Sequence, residues 1–186
     1  MWILADPSRR RVVKTHYVPY VGHLLTNQGV KPDPEKTKAV RLMPPPQDKL
    51  GLQRFLGMTN YLSKFIQNYS ELTAPLRGLL HQDTEWCWHE HHEAALSRLK
   101  DALTSPPVLQ YFDVRQPVVL SADASQHGLG AVCLQHNKPV AFASRALSDT
   151  ESRYAQIEKE LLALVFLKVH SPVTCYVYVT QALTMY

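Results

Sequence analysis

Val118-Val119-Leu120-Ser121-Ala122-Asp123-Ala124-Ser125 is the stretch on which the fold turns, an apolar run that ends in a carboxylate. Its β-branched content and the polar turn residues after it read as a strand. An acid at a strand end has two readings. It caps the turn through its own backbone, or it holds a cation when a second acid is brought beside it. Glu160 is that second acid, on an amphipathic stretch where Tyr154, Ile157, Leu161, Leu164, Val165 and Leu167 keep helical period to about Val169. Magnesium prefers oxygen ligands and keeps several waters, and two-metal chemistry needs several clustered carboxylates. Two acids hold one ion poorly, and no Asp or Glu follows Glu160.

Outward from this run, Leu129 to Gln135 and Pro139 to Ser144 are further strand candidates, separated by turn residues that include Gly128 and Asn137. Ser148-Asp149-Thr150-Glu151 has the form of a capping box for the helix that carries Glu160. Val173 to Thr180 alternates Val and Tyr and reads as a fourth strand, so the order is β-β-β-α-β.

Upstream, Ser105-Pro106-Pro107 marks a linker. Before it, Asp33-Pro34-Glu35 starts a helix that Pro44-Pro45-Pro46 ends by Met43. Asp48 starts a second through Leu52, Phe55, Leu56 and Leu62 to Ile66, and Ser70–Leu80 and His91–Leu103 are two more. Tyr17 to Thr26 followed by Asn27-Gln28-Gly29 reads as an edge hairpin, and residues 1–16 as an irregular basic lead-in. The fold class is α+β, a small helical domain followed by a mixed-sheet domain.

A chain of 186 residues, 45% hydrophobic, buries a real core. Its charge of +4 suits a phosphate-bearing partner without requiring one. Cys87, Cys133 and Cys175 lie far apart with no CxxC pair, which points to neither a disulfide framework nor a cysteine zinc site and places the chain inside the cell. The longest apolar segment, Leu161 to Val169, is too short to span a membrane. Trp86-Cys87-Trp88-His89-Glu90-His91-His92-Glu93 offers zinc-type side chains but not HExxH, and helical spacing should splay the histidines into solvent while a Trp anchors the helical domain. Lys31, Lys36, Lys38, Arg41, Lys49, Arg54 and Lys64 line either a phosphate track or a solvated face. Tyr61, Phe65 and Tyr69, at helical spacing, read as core.

Several segments together resemble the pol polyprotein of gypsy-type LTR retrotransposons, in order and spacing from about residue 17 to 170. They are Tyr20-Val21-Gly22-His23-Leu24, Gly29-Val30-Lys31-Pro32-Asp33-Pro34-Glu35-Lys36, Leu52-Gln53-Arg54-Phe55-Leu56-Gly57-Met58-Thr59-Asn60-Tyr61, Ala74-Pro75-Leu76 and Ala141-Phe142-Ala143-Ser144-Arg145-Ala146-Leu147-Ser148. The resemblance implies that residues 17–107 are the end of a reverse transcriptase palm, its thumb and a connection, and that 108–186 are an RNase H-like domain truncated at its C-terminus. The family's polymerase aspartates precede the Tyr20 segment, so DNA synthesis by this chain alone is excluded.

By the same resemblance, Asp123 matches the first metal-binding aspartate and Glu160 the helix glutamate. Glu160 is preferred over Glu158 because it directly precedes the Leu161-Leu162-Ala163 face expected to pack on the sheet. Gln181 stands where the family has a third aspartate. The implied ancestral activity is magnesium-dependent cleavage of RNA in RNA/DNA hybrids, weak or absent in this chain. Its implied partners are such a hybrid or another nucleic acid duplex, together with the remaining pol domains. The alternative is a noncatalytic nucleic-acid-binding or interaction module derived from a retroelement.

Overall fold

Strands open the chain where irregular backbone was expected. In the computed structural model, which describes residues 2–5, 12–15 and 17–170, β1 (Trp2–Ala5) and β2 (Val12–Thr15) pair antiparallel. Tyr17 to Thr26 is two strands, β3 (Tyr17–Tyr20) and β4 (His23–Thr26), reversed at Val21 and Gly22, whose φ angles are 43° and 68°. After Asn27 and Gln28 the chain returns as β5 (Gly29–Pro32), so the expected hairpin is a three-stranded sheet. At Gly29, φ is 135° and a Cβ would lie 2.2 Å from the Leu109 carbonyl oxygen, so only glycine fits.

The helices begin where their caps foretell. Asp33 accepts the Glu35 N–H at 3.0 Å to start α1 (Pro34–Leu42), and Asp48 accepts the Gly51 N–H at 2.6 Å to start α2 (Lys49–Tyr61). With α3 (Tyr69–Gly78) and α4 (Glu90–Thr104) they close over a core of Leu52, Phe55, Leu62, Leu76, Leu96 and Leu99. Trp86 and Trp88 pack at its edge as anchors. Phe65 and Tyr69 are core as expected, whereas Tyr61 is 39% exposed. It ends α2, and its ring instead stacks on buried His23 at 5.2 Å with the Lys36 ammonium 4.3 Å above it.

Beyond the linker, β6 (Val119–Ala124), β7 (Gly128–Gln135) and β8 (Lys138–Ala146) form an antiparallel meander. Its register sets Asp123 opposite Gly130, and Gly130 opposite Ser144. One face meets α5 (Gln156–His170), where Ala163, Phe166 and Leu167 pack against Leu120, Ala124, Leu129 and Cys133. The reciprocal Ser148–Glu151 bonds are present, but they lead into a short 3-10 turn, Glu151–Arg153, and α5 starts only at Gln156. The packing face of α5 also differs from expectation: Leu161 is 56% exposed and, with Ile157 and Val165, forms an open apolar stripe. A helix turns 100° per residue, so Leu161 and Ala163 cannot share one face. The fourth strand expected at Val173 to Thr180, and Gln181, lie outside the described residues.

The opposite face of the sheet receives the start of α3. A Cβ on Gly128 would come 2.2 Å from Ser70 Oγ, and one on Gly130 would come 2.6 Å from Asn68 Oδ1, so the two glycines permit this close approach. The chain just after the linker is fastened to both three-stranded sheets. Val30 and Leu109 exchange backbone hydrogen bonds of 2.7 and 3.0 Å, and the Gln110 N–H donates to the Pro139 carbonyl at 2.8 Å.

Candidate functional site

Asp123 is the penultimate residue of β6 and is exposed. Its Oδ1 accepts the N–H of the next residue, Ala124, at 3.0 Å. The Ala124 carbonyl accepts the Gln156 side-chain amide at 2.9 Å, and the same Nε2 donates to Glu160 Oε1 at 2.7 Å. Glu160 is therefore tied, through one glutamine, to the residue after Asp123. The helix places it there because Gln156, Glu160, Ala163 and Leu167 recur at spacings of four, three and four, which make one stripe toward the sheet. Glu158 sits elsewhere on α5, where its Oε2 accepts the Ala155 N–H at 2.8 Å ahead of the first turn.

Both acids offer hard oxygen donors, which suits a hard divalent cation. Among the described residues no group of three or more His, Cys, Asp or Glu side chains is arranged to hold a metal ion. A narrow polar cleft runs from Asp123 to the start of α3, bordered by Asn68, Ser70, Glu71 and Ser125. A larger apolar hollow of about 500 Å³, lined by Val40, Met58 and Tyr61, lies between α1 and α2, apart from the two acids.

Two other charged clusters flank the helices. The Arg145 guanidinium makes a two-pronged pair with Glu151, each contact 2.9 Å. That pairing, with the Ser148 N–H also donating to the carboxylate, lowers the Glu151 carboxyl to about 2. The histidines at the start of α4 do not splay apart. The ring centroids of His89, His91 and His92 lie 3.7 to 5.8 Å from one another, and His92 is buried. Helical spacing does not govern His89, which is the extended N-cap, and His92 folds back so that its Nδ1 accepts the His89 N–H at 3.0 Å. Burial and the two neighbouring imidazoles depress the His92 pKa. Of the basic residues, Lys36, Lys38, Arg41, Arg54 and Lys64 are exposed, while Lys31 and Lys49 are half-buried.

Sequence reasoning passed over Gln156, although its place four residues before Glu160 was a usable signal for a helix-face partner. The contacts from Asn68 and Ser70 to the sheet carried no such signal, because they join segments about sixty or more positions apart.

Residues 88–178 match the RNase H-like domain found in reverse transcriptase. Over 148 residues the chain is 39% identical to the retrovirus-related Pol polyprotein from transposon 297 of Drosophila melanogaster, covering 79% of this chain and 14% of that protein. Over 153 residues it is 35% identical to the Tf2-3 transposon polyprotein of Schizosaccharomyces pombe, covering 80% of this chain and 12% of that one. It therefore spans about one seventh or less of these relatives. Among solved structures, the foamy viral protease-reverse transcriptase in complex with an RNA/DNA hybrid is 25% identical with a TM-score of 0.73, covering 83% of this chain and 22% of that one.

Proposed function

Because the chain carries an RNase H-like domain of the retroelement Pol type, we propose that it engages RNA/DNA hybrids as a gypsy-type element's reverse transcriptase and RNase H segment. Asp123 and Glu160 are its cation-holding acids. The observation that supports this reading is the Gln156 bridge, which ties Glu160 to the carbonyl of Ala124, the residue after Asp123.

In this proposal residues 17–107 form the thumb and connection, and the residues from 108 onward form the RNase H-like part. Magnesium is the cation the oxygen donors favour. Bound there, it supplies Lewis-acid activation of water toward a phosphodiester. The chain's own contribution is to fix two carboxylates and leave the exposed side of β6 open to a backbone phosphate. Two carboxylates do not hold a pair of ions, so cleavage by this chain alone is weak or absent.

The experiment is a magnesium-dependent hybrid-cleavage assay on the chain and on Asp123→Asn. Hybrid binding with little cleavage in either is the expected result. Robust cleavage that Asp123→Asn abolishes contradicts the weak-activity part, and no hybrid binding at all contradicts the whole. The noncatalytic reading is favoured by one observation, the exposure of Lys36, Lys38, Arg41, Arg54 and Lys64 around the helical domain. A steep loss of duplex affinity with salt, unaffected by Asp123→Asn, supports it.

A further inference from the structure

We infer that residues 85–89, which lead into α4, form an acid-released strap on the helical domain, held shut by the imidazoles of His89, His91 and His92. Among the described residues, Glu85 to Trp88 take part in no backbone–backbone hydrogen bond. Side chains do the fastening. Trp86 and Trp88 stack at 5.7 Å and pack at the edge of the core, and the Trp88 indole N–H donates to Glu93 Oε2 at 2.9 Å. The Trp88 ring also lies 5.5 Å from that of His92.

His92 closes the strap. Its Nδ1 accepts the His89 N–H at 3.0 Å, so that nitrogen is unprotonated while the bond stands. A second proton on the ring turns this acceptor into a donor and breaks the bond. Three features of the site oppose that proton. His92 is 5% exposed, so a charge there loses most of its water. It lies in the first turn of α4, whose free N–H groups disfavour a cation. The rings of His91 and His89 stand 3.7 and 5.8 Å from it, centroid to centroid, so a charge on either repels one on His92. Burial first, and then the charges of His91 and His89, lower the His92 pKa. Neither Glu90 and Glu93 in the same turn nor any charged group of α1 or α3 offsets them.

With its pKa lowered, neutral His92 favours the closed strap fully above about 6.5, and closure is lost as pH falls through the folded value. The strap opens before the domain unfolds, because the core beneath it, Leu76, Leu96 and Leu99, has no group that titrates in this range.

The test follows tryptophan emission of the whole chain from pH 8 to pH 5, with far-UV circular dichroism alongside. Trp2→Phe leaves Trp86 and Trp88 as the reporters. Emission shifts reversibly to longer wavelength while the circular dichroism signal is kept. His92→Gln, whose amide oxygen accepts the His89 N–H at every pH, abolishes the shift. His91→Gln, which removes one repelling neighbour, moves it to lower pH. No shift, a shift only where the circular dichroism signal is also lost, or the same shift in His92→Gln overturns the strap. If His92→Gln is unfolded or already open at pH 8, His91→Gln decides: a lower midpoint supports the strap and an unchanged one overturns it.

Discussion

Ser144 Oγ accepts the N–H of Ser70 at 2.8 Å, across 74 positions of sequence. That N–H belongs to the first turn of α3, where the helix has no acceptor of its own, and Asn68 at the N-cap makes no side-chain cap bond. A strand of the sheet domain therefore caps a helix of the helical domain. The Ser144 hydroxyl also donates to Ser70 Oγ, which in turn donates to the Leu129 carbonyl at 3.5 Å.

Ser144→Ala leaves the buried Ser70 donor unmatched and costs about 1–2 kcal/mol, the range of a lost helix cap. Denaturant unfolding reads this directly. An unchanged midpoint would sink the cap.

Gly128→Ala acts at the same seam by crowding. Its Cβ meets Ser70 Oγ at 2.2 Å and Ser70 Cβ at 2.8 Å, so α3 must shift away from the sheet. The expected cost is about 1–3 kcal/mol, as for other overpacked sites. Gly57→Ala, where nothing lies within 4 Å, should be stabilising by up to about 1 kcal/mol because it sits inside α2.

The two faces of α5 should respond differently. Phe166→Ala removes a buried ring from the core between sheet and helix and costs about 3–5 kcal/mol. Leu161→Gln, on the open stripe, changes stability by no more than about 0.5 kcal/mol. Equal losses at the two sites would refute the orientation of the helix.

Acid should destabilise the chain through its histidines. Burial first, then the charges of Lys64 and Lys36 outweighing that of Asp33, lowers the His23 pKa below 6.5, and burial with His91 and His89 lowers that of His92. A depressed histidine favours the neutral form in the folded state, so its stability is complete above the unfolded value. It is lost as pH falls from about 6.5 through the folded pKa. Melting temperatures from pH 8 to pH 5 should fall, and His23→Phe should flatten part of that slope. At lower pH a second loss is expected as the paired Glu151, held at about 2, becomes protonated on unfolding below its ordinary value of 4.5.

What the sequence made legible was local. Asp33 and Asp48 marked helix starts, the triple proline marked an end, and the strands around Asp123 fell within a residue or two of their observed limits. Errors came where local signals were sound but answered to a neighbour. The Ser148–Glu151 box formed, yet Arg145 draws Glu151 into an ion pair, and the chain makes a 3-10 turn before α5 begins. The histidines were expected to spread along a helix, whereas the N-cap at His89 and the returning His92 ring draw them together. Tyr61 kept core periodicity but ends its helix against His23, half in solvent.

The sequence by itself determined the elements, because caps, prolines and hydrophobic period act over a few residues. It also determined the α+β class and the two acids to compare. Only the tertiary structure decided that Gln156 joins Glu160 to the residue beside Asp123, that Ser144 caps α3, and that the outer stripe of α5 stays open. Those outcomes depend on which elements lie within hydrogen-bond distance, about 3 Å. Separations of 32 and 74 positions leave no trace in any local pattern.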